Sequence, residues 1–156
     1  MNLERNQLPI VVVDIDNTVA NQNPRIMRSI NNDGKVNLEK VNSPEEVILD
    51  EVIEGSQEAL KIISKEYRIF WLTARKEHLT EVTHKWLTLH KFPIDNLVLV
   101  ERFSDKLHYL EKWAPKLFID DLEYDHFSLS PKKATIMIEN LLEKNINFYK
   151  FEGCSS

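Results

Sequence analysis

The stretch from Leu8 to Ala20 reads LPIVVVDIDNTVA, and the rest of the chain is ordered around it. Its apolar run, Ile10 to Val13, is rich in β-branched residues, the composition of a strand buried on both faces of a parallel sheet. The run stops at Asp14, Ile15, Asp16, Asn17 and Thr18. Two carboxylates placed directly after a buried strand lie where an open α/β sheet keeps its ligands. Asn17 tolerates the positive φ that a tight exit turn demands.

Downstream, helical and strand patterns alternate. A polar segment, residues 21–50, carries the turn signal Asn31-Asn32-Asp33-Gly34. The spacing of Ala59, Leu60, Ile62 and Ile63 predicts a helix over 55–65, and YRIFWL a strand over 67–72 that ends in Thr73-Ala74-Arg75. Leu79, Val82, Trp86 and Leu89 predict a helix over 76–90, stopped by Phe92-Pro93. A strand over 97–100, a short helix over 104–113 closed by Pro115, and a strand over 117–119 ending in Asp120-Asp121 follow. Ser130 as N-cap and Pro131 at the first helical position open a last helix to about Lys144, before a fifth strand over 147–151.

This alternation predicts an α/β fold, a doubly wound, Rossmann-like parallel sheet with right-handed crossovers and strand order 3-2-1-4-5. The chain reads as one domain, 1–156, with residues 21–54 as a small cap-like insertion after the first strand. A hydrophobic content of 42% and a charged content of 29% describe an ordinary globule. The net charge of −5 gives no global attraction to nucleic acid or anionic membrane. Cys154 is the single cysteine, so no intrachain disulfide forms. No long apolar stretch and no signal-like N-terminus is present, and the expectation is a cytoplasmic protein with no membrane partner. His78, His84 and His90 scatter round their helix and are expected at the surface, with no zinc spacing.

A doubly wound sheet brings its strand C-termini to one edge, so Asp14 and Asp16, Thr73, and Asp120 and Asp121 should converge there. Carboxylates so clustered repel unless a divalent cation offsets them, and oxygen-only ligands suit a hard ion such as Mg²⁺. A carboxylate at such a site can attack phosphorus and form an aspartyl-phosphate. Thr73 and a lysine can hold the phosphoryl oxygens, and Asp16 can give a proton to the leaving oxygen and then activate water.

The order DxDxT (Asp14, Asp16, Thr18), then Leu72-Thr73, then a lysine, then Ile119-Asp120-Asp121 resembles the haloacid dehalogenase superfamily. The resemblance implies Asp14 as nucleophile and metal ligand, Asp16 as general acid/base, Thr18 as a support of the loop and Thr73 as a phosphoryl-binding hydroxyl. It makes Asp120 and Asp121, with Asp14 and Asp16, the candidate Mg²⁺ site. The family commonly has Gly where this chain has Asn17. Lys106, at the start of a helix, fits the lysine, with Lys112 and Lys116 as alternatives nearer the strand. DIDNTVANQNPRI followed by FWLTAR is similar to the phosphatase domain of polynucleotide kinases and to small 5′-nucleotidase-like phosphatases, in which Arg25 and Arg75 have counterparts.

These residues imply a Mg²⁺-dependent phosphomonoesterase. An insertion this short leaves the site open, with Arg25 and Arg75 at its edge as forks for a nucleotide or the phosphorylated end of a nucleic acid. Another small phosphorylated metabolite is the alternative substrate. A response-regulator receiver carries an acidic pair, then a lone Asp, then Thr or Ser, then Lys, whereas here the Thr precedes the Lys and the acidic pair comes last.

Overall fold

The computed structural model describes residues 3–122 and 132–151. The Ser130 and Pro131 start of the last helix and Cys154 lie outside the described residues. A short N-terminal turn (Arg5–Gln7) precedes strand β1 (Ile10–Val13), and the chain continues through β2 (Ala20–Asn21), helices α1 (Asn23–Arg28), α2 (Leu38–Val41) and α3 (Pro44–Val47), and β3 (Glu51–Val52). Then come α4 (Ser56–Ile63), β4 (Arg68–Thr73), α5 (Thr80–Leu89), β5 (Asn96–Leu99), α6 (Lys106–Trp113), β6 (Leu117–Asp120), α7 (Lys132–Glu143) and β7 (Phe148–Lys150).

Five strands form one parallel sheet in the order β5-β4-β1-β6-β7. Counting only its own strands along the chain, that is 3-2-1-4-5, the expected topology. Alternation along each strand sorts side chains to two faces. Val11, Val13, Ile69 and Trp71 pack with Leu60 of α4 and Trp86 and Leu87 of α5. Val12, Phe70, Leu72 and Phe118 pack with Leu110 of α6 and Met137 and Leu141 of α7. Helices therefore cover both faces, which is why β1 and β4 read as unbroken apolar runs.

The order has a consequence for position. From β1 the chain winds toward β4 and β5, and later returns to the other side through β6 and β7. The switch point lies beside β1, where a doubly wound sheet leaves a crevice at its strand ends. Asp14 follows β1 and Asp120 ends β6, one on each side of that crevice, and the Asp14 amide still bonds the Ile119 carbonyl at 2.9 Å.

After β1 the backbone turns sharply. The Ile15 carbonyl accepts from the amides of Thr18, Val19 and Ala20, and Asn17 adopts φ 60. This is the positive φ expected of Asn17, a conformation its short amide side chain allows. Residues 21–50 hold more order than a polar segment. Three helices of 4–6 residues lie between β2 and β3, which pair antiparallel with Ala20 opposite Val52. β2 and β3 form their own two-stranded sheet, so the two ends of the insertion lie side by side. The Asn31 turn forms as read, with Gly34 at φ 81 and its amide bonded to the Asn31 carbonyl.

Candidate active site

Asp14, Asp16, Thr73, Lys106, Asp120 and Asp121 reach the C-terminal edge of the sheet from four places in the chain. Asp14, Thr73, Lys106, Asp120 and Asp121 are all buried. Lys106 is the first residue of α6, with no solvent exposure, and its ammonium donates to Asp14 Oδ1 and to Asp120 Oδ2, each at 2.9 Å. The structure thus brings Lys106 to the strand edge, while Lys112 and Lys116 are exposed. Thr18 returns from the turn to donate its hydroxyl to Asp14 Oδ2 at 3.1 Å. Asp120 Oδ1 accepts from the Leu122 amide at 2.7 Å, which fixes the second carboxylate. Thr73, 1% exposed, ends β4, the strand beside β1, and its carbonyl holds the Val100 amide.

Carboxyl oxygens of Asp14, Asp120 and Asp121 all lie within 4.8 Å of one another. Burial pushes the Asp14 carboxyl up, the nearby Asp120 charge adds to that, and Lys106 only partly offsets both. Burial alone would lower the Lys106 ammonium, but Asp120 and Asp14 outweigh it and hold the proton on. One ammonium among three carboxylates leaves excess negative charge, and the donors are all oxygen. The set therefore fits a hard divalent cation.

Asp16 is not in that cluster, although it was expected among the ligands, because its oxygens face two arginines. Arg75 donates from Nη2 to Oδ1 at 2.8 Å and from Nε to Oδ2 at 3.1 Å, and Arg25 donates from Nη2 to Oδ1 at 3.0 Å. The arginines themselves, expected at an open edge, are 3% and 5% exposed. Arg25 also donates to both oxygens of Asp50 at 3.0 Å and to the Val41 carbonyl at 2.7 Å, and Arg75 donates to Thr83 Oγ1 at 2.9 Å.

Asp50 is the member of the site that sequence reading passes over. It closes a polar segment like any loop acid, and nothing local marks it as buried. The neighbouring exposed pair Arg28–Glu46 is worth about 0–1 kcal/mol, whereas removing one partner of a buried pair costs roughly 3–5 kcal/mol. Breaking the Arg25–Asp50 pair is therefore the more damaging change, although burial still pushes the Asp50 carboxyl up against the pull of Arg25. Of the three helix histidines, His78 and His84 are exposed, while His90 is half-buried against Trp86, where burial lowers its imidazole.

Comparison with known proteins gives neighbours of the same architecture. A chain of the Pnkp1/Rnl/Hen1 complex superposes with a TM-score of 0.61 at 16% identity, over 93% of this chain and 46% of that one. The class C acid phosphatase from Bacillus anthracis with tungstate bound gives 0.64 at 20% identity, over 94% of this chain and 67% of that one. These likenesses are of fold. In sequence, a provisionally named nucleotidase of Bacillus subtilis (strain 168), YqfW, is 27% identical over 62 residues, 38% of this chain and 32% of the relative. The chain thus spans about a third of that relative and under half of the repair-complex chain. No protein-family profile matches it.

Proposed function

We propose that the chain is a Mg²⁺-dependent phosphomonoesterase that works through phospho-Asp14, on a nucleotide or the phosphorylated end of a nucleic acid. The observation that carries this is the meeting of Asp14, Lys106, Asp120 and Asp121 at the switch point of the sheet. Asp14, Asp120 and Asp121 would hold the cation. Bound there, Mg²⁺ offsets negative charge on the nucleophile and on the phosphoryl oxygens.

The remaining chemistry belongs to side chains of this chain. An Asp14 carboxylate oxygen attacks phosphorus as the bond to the leaving oxygen breaks, and Asp16 gives that oxygen its proton. Asp16, now a carboxylate, takes a proton from the water that attacks the aspartyl-phosphate, which releases inorganic phosphate and restores Asp14. Its side chain is 22% exposed, so it can exchange protons with solvent. Lys106 steadies Asp14 and the phosphoryl oxygens, and the Thr73 hydroxyl binds the phosphoryl group from the adjacent strand. Thr18 orients Asp14 toward substrate. Arg25 and Arg75 lend positive charge beside Asp16, and residues 21–54 act as the small cap-like insertion of a single domain.

The substrate class is supported by the names of the neighbours, a nucleotidase and an RNA repair complex. A net charge of −5 disfavours long polyanions, which leaves mononucleotides and strand ends. Phosphate release with Mg²⁺ should be compared for a mononucleotide, a short end-phosphorylated oligonucleotide and a sugar phosphate, with Asp14→Asn as background. The expected result is a higher kcat/KM for the first two. A clear preference for the sugar phosphate would sink the nucleotide reading and leave a metabolite phosphatase. A steep salt dependence for the oligonucleotide alone would point to strand ends. The setting proposed is cytoplasmic. Among the described residues, no helix is long and apolar enough to cross a membrane.

A further inference from the structure

Asp50 stands behind both arginines that hold Asp16. Its Oδ1 accepts from Arg25 Nε and its Oδ2 from Arg25 Nη2, both at 3.0 Å, and Arg75 Nη2 lies 3.7 Å from Oδ2. Its own backbone is fixed, because the indole of Trp86 donates to the Asp50 carbonyl at 2.8 Å. The Nη2 of Arg25 that meets Asp50 is the same nitrogen that donates to Asp16 Oδ1. Side-chain exposure is 1% for Asp50, 4% for Arg25 and 3% for Arg75, but 22% for Asp16. The four groups are thus a closed frame that opens only at Asp16.

We infer that Asp50 is a positioning residue for the proposed phosphatase reaction: through Arg25 it sets the orientation in which Asp16 faces the leaving group. The inference rests on the phosphatase reading and adds a residue to it. A guanidinium is planar, so a carboxylate that grips its Nε and Nη2 edge fixes the plane from which Nη2 also donates. Loss of that grip frees the Nη2 edge of Arg25, and the direction of Asp16 then depends on Arg75 without its second brace. The insertion that carries Arg25 and Asp50 thereby takes part in proton transfer.

The test compares an alkyl phosphate, whose leaving oxygen needs a proton, with p-nitrophenyl phosphate, whose leaving group departs without one. Asp50→Asn keeps the volume of the side chain and one acceptor. In the full chain with Mg²⁺, it should lower kcat/KM for the alkyl ester by about tenfold or more, since general acid catalysis is worth roughly 10²–10⁴. For p-nitrophenyl phosphate the loss should stay under about threefold by the same reasoning. On an Asp16→Asn background, Asp50→Asn should cause no further loss, because two residues acting through one group do not add.

Arg25→Lys offers a second route should Asp50→Asn fail to fold. It keeps the charge but has no fork to bridge both carboxylates, and it should show the same split between the esters. Equal losses for the two esters in a folded variant, or a further loss on the Asp16→Asn background, would overturn the inference while leaving the phosphatase reading in place. A wild-type protein inert toward both esters would overturn that reading, and this inference with it. Glu46→Gln, on the exposed pair of the same insertion, should leave both rates unchanged.

Discussion

Lys106 donates to two buried carboxylates from a position with no solvent contact. Lys106→Ala should therefore remove turnover and also lower stability by about 3–5 kcal/mol, the penalty for stripping a buried charge of its partner. Lys112→Ala and Lys116→Ala, at exposed sites, should change stability by less than about 0.5 kcal/mol and leave turnover alone. Urea denaturation and a phosphate-release assay on the three variants check this, and damage from Lys116→Ala would displace Lys106 from its role. Asp14→Asn keeps the size of the side chain and should abolish turnover with an unchanged far-ultraviolet dichroism spectrum. Measurable burst or steady-state release from that variant would move the nucleophile elsewhere. Asp14, Asp120 and Asp121 were legible in the sequence because they stand at strand ends, and a doubly wound topology gathers strand ends. The choice among three lysines was not, since reach across a fold depends on which helix turn faces the sheet. The arginines show the opposite limit. Their presence near the motifs was readable, but burial and pairing depend on Asp50, far along the chain.

At the level of elements, the N-terminal turn is tied to the sheet by one acid. Asp95 accepts from Arg5 Nε at 2.7 Å and Nη2 at 2.6 Å, and from the Ile69 amide of β4 at 2.8 Å. Burial pushes the Asp95 carboxyl up, but the Arg5 guanidinium and the Ile69 amide outweigh it and hold it below its ordinary value of 3.8. A carboxyl depressed in the folded state binds its proton more readily unfolded, so its contribution is present above 3.8 and fades as pH falls through the folded value. Asp95→Asn should thus lower stability by about 1 kcal/mol at pH 7, with Arg5 half in solvent limiting the figure. Denaturant midpoints across pH 2–7 should show the gap between wild type and variant closing toward the acid end (roughly, from the linkage slope). A gap that persists at the lowest pH would mean that packing carries the effect. The strands of the five-stranded sheet were readable because short apolar runs bounded by polar residues mark strands. The helices of the insertion were not, because four to six residues are too few for an apolar period to show.

Taken as a whole, the molecule gathers like charge at one edge and balances it only in part with Lys106. A cation that binds the folded chain and not the unfolded one stabilises by mass action, about 2.7 kcal/mol at a hundred times Kd. The thermal midpoint should rise with millimolar Mg²⁺ in the wild type, and much less when Asp120→Ala and Asp121→Ala are combined. A midpoint indifferent to Mg²⁺ in the wild type would remove the metal site from the reading.

The pairing of Ala20 with Val52 has a consequence for how such a protein can be rebuilt. Because the two ends of the intervening segment sit side by side, the sheet would tolerate a replacement of almost any length there, as a cassette. Arg25 and Asp50, however, lie inside the cassette, while the carboxylate they frame lies outside it. A graft that changes what reaches the substrate would also change the frame around Asp16. Swapping recognition segments between homologous scaffolds should therefore succeed only where the graft carries its own arginine and acid, so that the two features are inherited as one unit.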